Sequence, residues 1–147
     1  MRSDRHNSNS SSYCGAAVKI LSIDAKYANF TDGGSTAGTF ASGAVLPQGA
    51  FVLNSIVDVK SAYSGDTSCT LQIGDGSDAD RFNASSDPSI FAAAEVAGGA
   101  PQGVPVCDAD TSITLTATGN SDWGAVASAG DMTVHILYID TSISVSI

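Results

Sequence analysis

Glutamate is almost missing from this chain of 147 residues: of fifteen acidic side chains only Glu95 is a Glu, and the rest are Asp. Exposed helices draw on Glu and Lys for their outer faces, whereas Asp collects in turns and caps, so the scarcity argues against a helical protein. Cations are scarce too, six Lys or Arg leaving a formal charge of −9. A surface of that sign repels phosphate backbones and no basic stripe offsets it, which excludes nucleic acid as a partner. No apolar run approaches the length that crosses a bilayer, so no membrane segment is expected. Residues Met1 to Ser12 carry charge but no apolar stretch and do not read as a secretory signal. The three cysteines, Cys14, Cys69 and Cys107, are odd in number and lack metal-like spacing. They suggest neither a disulfide framework nor a zinc site, and all three are expected as free thiols.

Catalytic patterns are lacking as well. There is no Gly-x-Ser-x-Gly elbow, and the two histidines are His6, in a polar arm, and His135, on a strand. No glycosidase pair is selected by the Asp spacing, and no phosphate-cradling loop precedes a helix. With no nucleophile, base and orienting group that can be placed together, no enzyme is expected.

What the chain does have is 43% hydrophobic residues against only 14% charged ones, so its polar surface must be built from Ser, Thr, Asn and Gly. The length suits one domain with a real core. Residues 1–13 form a Ser- and Asn-rich arm, too poor in apolar groups to order alone and expected to be flexible. Without it the body, residues 14–147, carries four basic and fourteen acidic residues, a net charge of −10.

Along that body, two-residue alternation marks the strands. Val18 to Phe30 places Leu21 and Ile23 on one face and Val18 and Ile20 on the other. Thr31 to Gly38 reads as a Gly-rich loop, and Thr39 to Leu46 as a short strand ending at Pro47. Phe51 to Tyr63 follows, with Val57 and Val59 inward, and Ser64-Gly65-Asp66 turns it into a strand over Thr67 to Gly74, a predicted hairpin. Thr111 to Thr118 sets Ile113, Leu115 and Ala117 inward and a row of hydroxyls outward. Met132 to Ile139 places Met132, Val134, Ile136 and Tyr138 on one face. Ile143, Val145 and Ile147 alternate with serines and predict a further edge strand. One short helix is expected between Asp87 and Gly99, with Asp87 as cap, Pro88 at the first position and Gly98-Gly99 as stop. The fold class is all-β: a single antiparallel β-sandwich, jelly-roll-like, with one short helix.

Cys69 to Phe82 is the most distinctive stretch. Its strand stops at Gly74, and Gly74-Asp75-Gly76-Ser77-Asp78 is a dense turn cluster. Asp75, Asp78 and Asp80 lie close enough to offer oxygens to calcium, but they lack the closing Glu of an EF-hand loop. Carboxylates in such turns are more often solvated or bonded locally, so no metal or cofactor is expected. Arg81 is expected to pair with one of them as a surface ion pair of ~0–1 kcal/mol. Trp123, with Phe40 and Tyr63, offers an aromatic platform for sugar; the alternative is a core lid or an interface anchor.

The apolar strand and Ser-Gly turn of Ile56 to Gly65, then Leu71-Gln72-Ile73-Gly74-Asp75-Gly76-Ser77-Asp78-Ala79-Asp80-Arg81-Phe82, resemble small head-decoration or cement proteins of tailed bacteriophages. So does the ending, Ile113-Thr114-Leu115-Thr116-Ala117-Thr118-Gly119 followed by Gly130-Asp131-Met132-Thr133-Val134-His135-Ile136-Leu137-Tyr138-Ile139. The resemblance covers Val18 to Ile139. It implies a β-sandwich, commonly a homotrimer, made in the host cytoplasm and bound through the major capsid protein to the exterior of the virion capsid. It brings no catalytic residues. On this reading the expected capsid or subunit contacts are Arg2, Arg5, Tyr13, Trp123, His135, Ile143, Val145 and Ile147. The alternative is a head fibre or carbohydrate-binding host-recognition module using Trp123 and the Asp turn.

Overall fold

A computed structural model describes residues 18–83, 87–125 and 129–141. Arg2, Arg5, Tyr13 and Cys14 in the arm, and Ile143, Val145 and Ile147 in the tail, lie outside the described residues, and with them the expected C-terminal edge strand.

The described residues form eight strands: β1 (Val18–Lys26), β2 (Thr31–Asp32), β3 (Ala37–Leu46), β4 (Ala50–Ser61), β5 (Cys69–Gly74), β6 (Ala94–Gly99), β7 (Thr111–Gly119) and β8 (Asp131–Asp140). They make two four-stranded sheets, ordered β1-β8-β4-β6 and β2-β3-β7-β5, and every pairing is antiparallel. The all-β sandwich expected from composition and alternation is the fold. Its core is filled from both sheets, with Val57, Val59, Met132, Val134 and Ile136 from one and Leu46, Leu71, Ile73, Ile113, Leu115 and Ala117 from the other. The alternation fixes each strand's register, because a one-residue slip would turn these side chains into water.

Strand β4 departs from strict alternation, and the departure matters. Ala50 and Val52 point inward, then Ser55, Val57 and Val59 do, so the inward spacing jumps to three across Leu53 and Asn54. The register with β8 shifts at the same place, between Val52 and Asn54. This bulge lets one strand keep its inner face buried along its whole length while presenting Phe51 and Leu53 outward.

The first strand stops at Lys26, short of the expected Phe30, and gives way to a 3-10 turn over Tyr27–Asn29. Two further expectations are corrected. The segment from Asp87 to Gly99 forms no helix: Ala94–Gly99 is strand β6, paired along the edge of β4. Ahead of it the Ile90 amide bonds the Cys69 carbonyl, and the Leu71 amide bonds the Pro88 carbonyl. The Ala-rich stretch has helical propensity, but an open edge on β4 offers a full ladder of hydrogen bonds, and weak propensity yields to it. Gly98 is needed there, since a Cβ on it would lie 2.2 Å from the Ser55 hydroxyl. The hairpin expected from β4 into β5 is also absent, because the two strands lie in different sheets and the Ser64 to Asp66 turn carries the chain across the sandwich. A turn signal reports that the chain reverses, not which sheet receives it.

The sandwich is closed at the Lys26 end of β1 by aromatic rings. Trp123 stacks on Tyr27 at 5.3 Å between centroids, and Phe30 meets Trp123 at 5.5 Å and Tyr63 edge-on at 6.2 Å. Gly38 lies flat beneath the indole, where a Cβ would come within 2.4 Å of it.

Candidate functional site

The Gly-Asp turn is held by its own first carboxylate. Asp75 Oδ1 accepts the amides of Ser77 and Asp78, both at 2.9 Å, and Asp75 Oδ2 accepts Arg81 Nη1 at 2.6 Å. Burial pushes the Asp75 carboxyl up, but the Arg81 hydrogen bond, the two amides and the guanidinium charge outweigh it and hold the group below the usual carboxylate range. The strand can stop so abruptly because Gly74 packs against the backbone of Asp78 and Ala79, leaving no room for a side chain.

Arg81 does more than the expected surface pair. Its Nε donates to the Val104 carbonyl at 3.1 Å and its Nη2 to the Val106 carbonyl at 2.8 Å. The intervening carbonyls point the other way: Pro105 accepts the Val52 amide and Cys107 the Gly49 amide. Residues 104–107 are thus a short extended segment laid along the first half of β4, and the guanidinium serves as its outer neighbour. Arg81 and Asp75 are each 13% exposed, so the pair is largely shielded from water and joins the two sheets at their seam. Beside it lies a cleft of about 380 Å³ lined by Asp75, Asp78, Arg81, Val104, Val106 and Asp108.

Asp78 and Asp80 face each other, and their shared hydrogen bond raises the Asp78 carboxyl above its ordinary range. The three aspartates offered above for a cation are therefore divided between an arginine pair and a carboxylate pair. Among the described residues no group of three or more His, Cys, Asp or Glu is arranged to hold a metal ion.

The outer face of the β1-β8-β4-β6 sheet is the second notable surface. Cross-strand register places Val18, Ile139, Phe51 and Val106 in one row. Ile20 and Leu137 pair in the next row, with Leu53 beside them at the bulge, and Val104 shares the face of Val106 two residues away. Among the described residues seven large apolar side chains are exposed, and six of them lie here: Val18, Ile20, Phe51, Leu53, Val104 and Val106. Further along the face a groove of about 250 Å³ runs between Ile20, Ile56, Asp58, Glu95, His135 and Leu137.

His135, expected at a surface or subunit contact, lies on this outer face, where its Nδ1 and the Ser22 hydroxyl are 2.8 Å apart. Trp123 is different: it is 1% exposed, so its ring offers neither a sugar platform nor a surface contact. The reason is the aromatic cluster, which takes the indole as the lid of the core. Tyr63 is fully buried beside it, its hydroxyl donating to the Ala25 carbonyl at 3.1 Å. Asn83 is buried as well, and its Oδ1 accepts the Ile73 amide at 2.8 Å. The exposed valines at 104 and 106 were not singled out from sequence, since a Val-Pro-Val segment between turns has too few residues to show a period. Val18 and Ile20 did carry a signal, because a strand apolar on both faces needs something on both.

No protein-family model matches the sequence, and no curated protein matches it. Among solved structures, a chain of the cyanophage Pam1 capsid asymmetric unit shares this fold with a TM-score of 0.53 and 21% identity. The match covers 85% of this chain and 86% of that one.

Proposed function

We propose that this chain is a structural virion protein that binds the outside of an assembled tailed-phage capsid and stabilises it, a decoration or cement protein without enzymatic activity. The observation that carries this reading is the fold shared with a phage capsid chain over nearly the full length of both. The likeness of the Gly-Asp turn and of the two last strands to head-decoration proteins points the same way. A protein of this kind binds the assembled lattice more tightly than separated subunits, so each bound copy shifts the assembly equilibrium by its binding free energy. Copies engaging the major capsid protein as trimers would sum modest contacts by avidity. The rival reading, a head fibre or carbohydrate-binding module, needs Trp123 at the surface, and Trp123 is in the core.

The test is cosedimentation of the purified protein with mature and immature heads stripped of it, followed by thermal release of the genome. Saturable binding to mature heads that raises the release temperature is the expected result. Absence of binding to either form rejects the reading and leads to glycan arrays.

A further inference from the structure

We infer that the apolar outer face of the β1-β8-β4-β6 sheet is the surface that engages the partner, and that the partner presents an apolar patch bordered by Lys or Arg. This rests on the cement reading for the partner's identity and adds which face meets it and with what chemistry.

The first ground is that the exposed apolar groups are concentrated. Val104 is 67% exposed and Ile20 61%, and with Val18, Phe51, Leu53 and Val106 they span the sheet from β1 to the 104–107 segment. Isolated surface valines are ordinary, but a contiguous patch rimmed by polar groups is the mark of an interaction surface. Val45, the remaining exposed apolar residue of that size, lies on β3 in the other sheet.

The second ground is charge. Asp58 and Glu95 face each other directly across β4 and β6, an arrangement that costs stability when no cation separates them. Both line the groove that continues from Ile20 and Leu137, and Asp108 lines the cleft beside Val104 and Val106. The three ion pairs among the described residues use Asp140, Asp24 and Asp75, so none of them neutralises Asp58, Glu95 or Asp108. The patch is therefore flanked on both sides by carboxylates that take part in none of these ion pairs. A second copy offering the same face would set these carboxylates against one another, since a two-fold contact is self-complementary. A surface with basic groups around an apolar centre satisfies both the rim and the middle.

The experiment uses stripped mature heads as the probe and the full-length protein. The double variant Ile20→Asp/Val104→Asp is compared with Val45→Asp, and thermal melting verifies that each is folded; Val104→Asp alone serves if the double variant is not. The face variants are expected to bind at least about tenfold more weakly, with Val45→Asp unchanged. Wild-type binding is expected to weaken as salt is raised, and Asp58→Asn/Glu95→Gln to lose part of that dependence. Folded face variants that bind as tightly as wild type overturn the interface and leave the cement reading standing. Wild type that fails to bind the heads overturns both. Wild type that sediments as an oligomer dissociated by Ile20→Asp/Val104→Asp assigns the face to a second copy and also overturns the inference.

Discussion

The two sheets of this sandwich bury the same kind of residue inside but differ outside, where one carries rows of hydroxyls and the other is apolar over part of its face. On β2-β3-β7-β5 the outward rows run Ala37, Thr118, Thr70 and then Thr39, Thr116, Gln72. Hydroxyl and amide side chains of this kind can bond to water, and such a face needs no cover. On β1-β8-β4-β6 the corresponding rows hold Val18, Ile139, Phe51 and then Ile20 and Leu137. Apolar surface left in water forgoes roughly 25 cal/mol per Å², so each ~100 Å² covered by a partner returns on the order of 2.5 kcal/mol before the costs of association. The difference teaches that strand alternation alone does not separate a solvent face from a contact face; the chemistry of the outward set does.

The largest expected effect lies beneath both faces. Trp123→Ala removes the lid of the core and should cost about 3–5 kcal/mol by urea unfolding. The fraction that stays folded should still bind heads as wild type does, because neither outer face is touched. A loss of intrinsic affinity would show that the faces do not act separately from the core.

Next is the brace under one part of the apolar face. Arg81→Ala leaves Asp75 partly buried without its cation and frees the Val104 and Val106 carbonyls, a loss of roughly 1.5–3 kcal/mol. Hydrogen exchange should rise in residues 104–107 and stay unchanged in β7, beneath the hydroxyl face. Arg81→Lys should rescue little, since one ammonium cannot span the Asp75 carboxylate and both carbonyls. Equal loosening of the two faces would contradict the local role given to this side chain.

The same brace is open to pH. The folded-state pKa of Asp75 is depressed, so its stabilisation is present above the unfolded value near ~4 and is lost as pH falls through the folded value. The stability gap between wild type and Asp75→Asn, about 1–2 kcal/mol at pH 7, should therefore narrow in acid. A gap that stays constant down to pH ~2.5 would show that the charged state of Asp75 contributes nothing. Asp87 works in the opposite direction, since burial raises its carboxyl, so Asp87→Asn serves as the opposing control.

The smallest effects on stability give the sharpest contrast. Thr114→Val/Thr116→Val on one sheet and Val18→Thr/Ile20→Thr on the other should each change stability by no more than ~0.5 kcal/mol. Retention on a hydrophobic column should rise for the first pair and fall for the second, and only the second should weaken binding to heads. Identical behaviour would erase the distinction between the faces.

Much of the fold was legible because it rests on period. Ile113, Leu115 and Ala117 in β7 and Met132, Val134 and Ile136 in β8 recur every second residue, and all are buried. What escaped depends on partners distant in sequence. Asp87 to Gly99 reads as a short helix when taken alone, and only the free edge of β4 makes its second half, Ala94–Gly99, a strand. Trp123 reads as a loop aromatic until Tyr27, Phe30 and Gly38 are brought around it. That Arg81 would pair with one of the turn aspartates was foreseeable from their closeness in sequence, but the choice of Asp75 and the grip on residues 104 and 106 were not, because nothing local links those carbonyls to it.

The apolar face draws on β1, the start of β4, residues 104–106 and the end of β8, pieces spread from one limit of the described chain to the other. No fragment carries it, and a copy missing any of these strands loses part of it. A partner that needs the whole of this surface would therefore bind finished molecules and pass over truncated or half-folded ones.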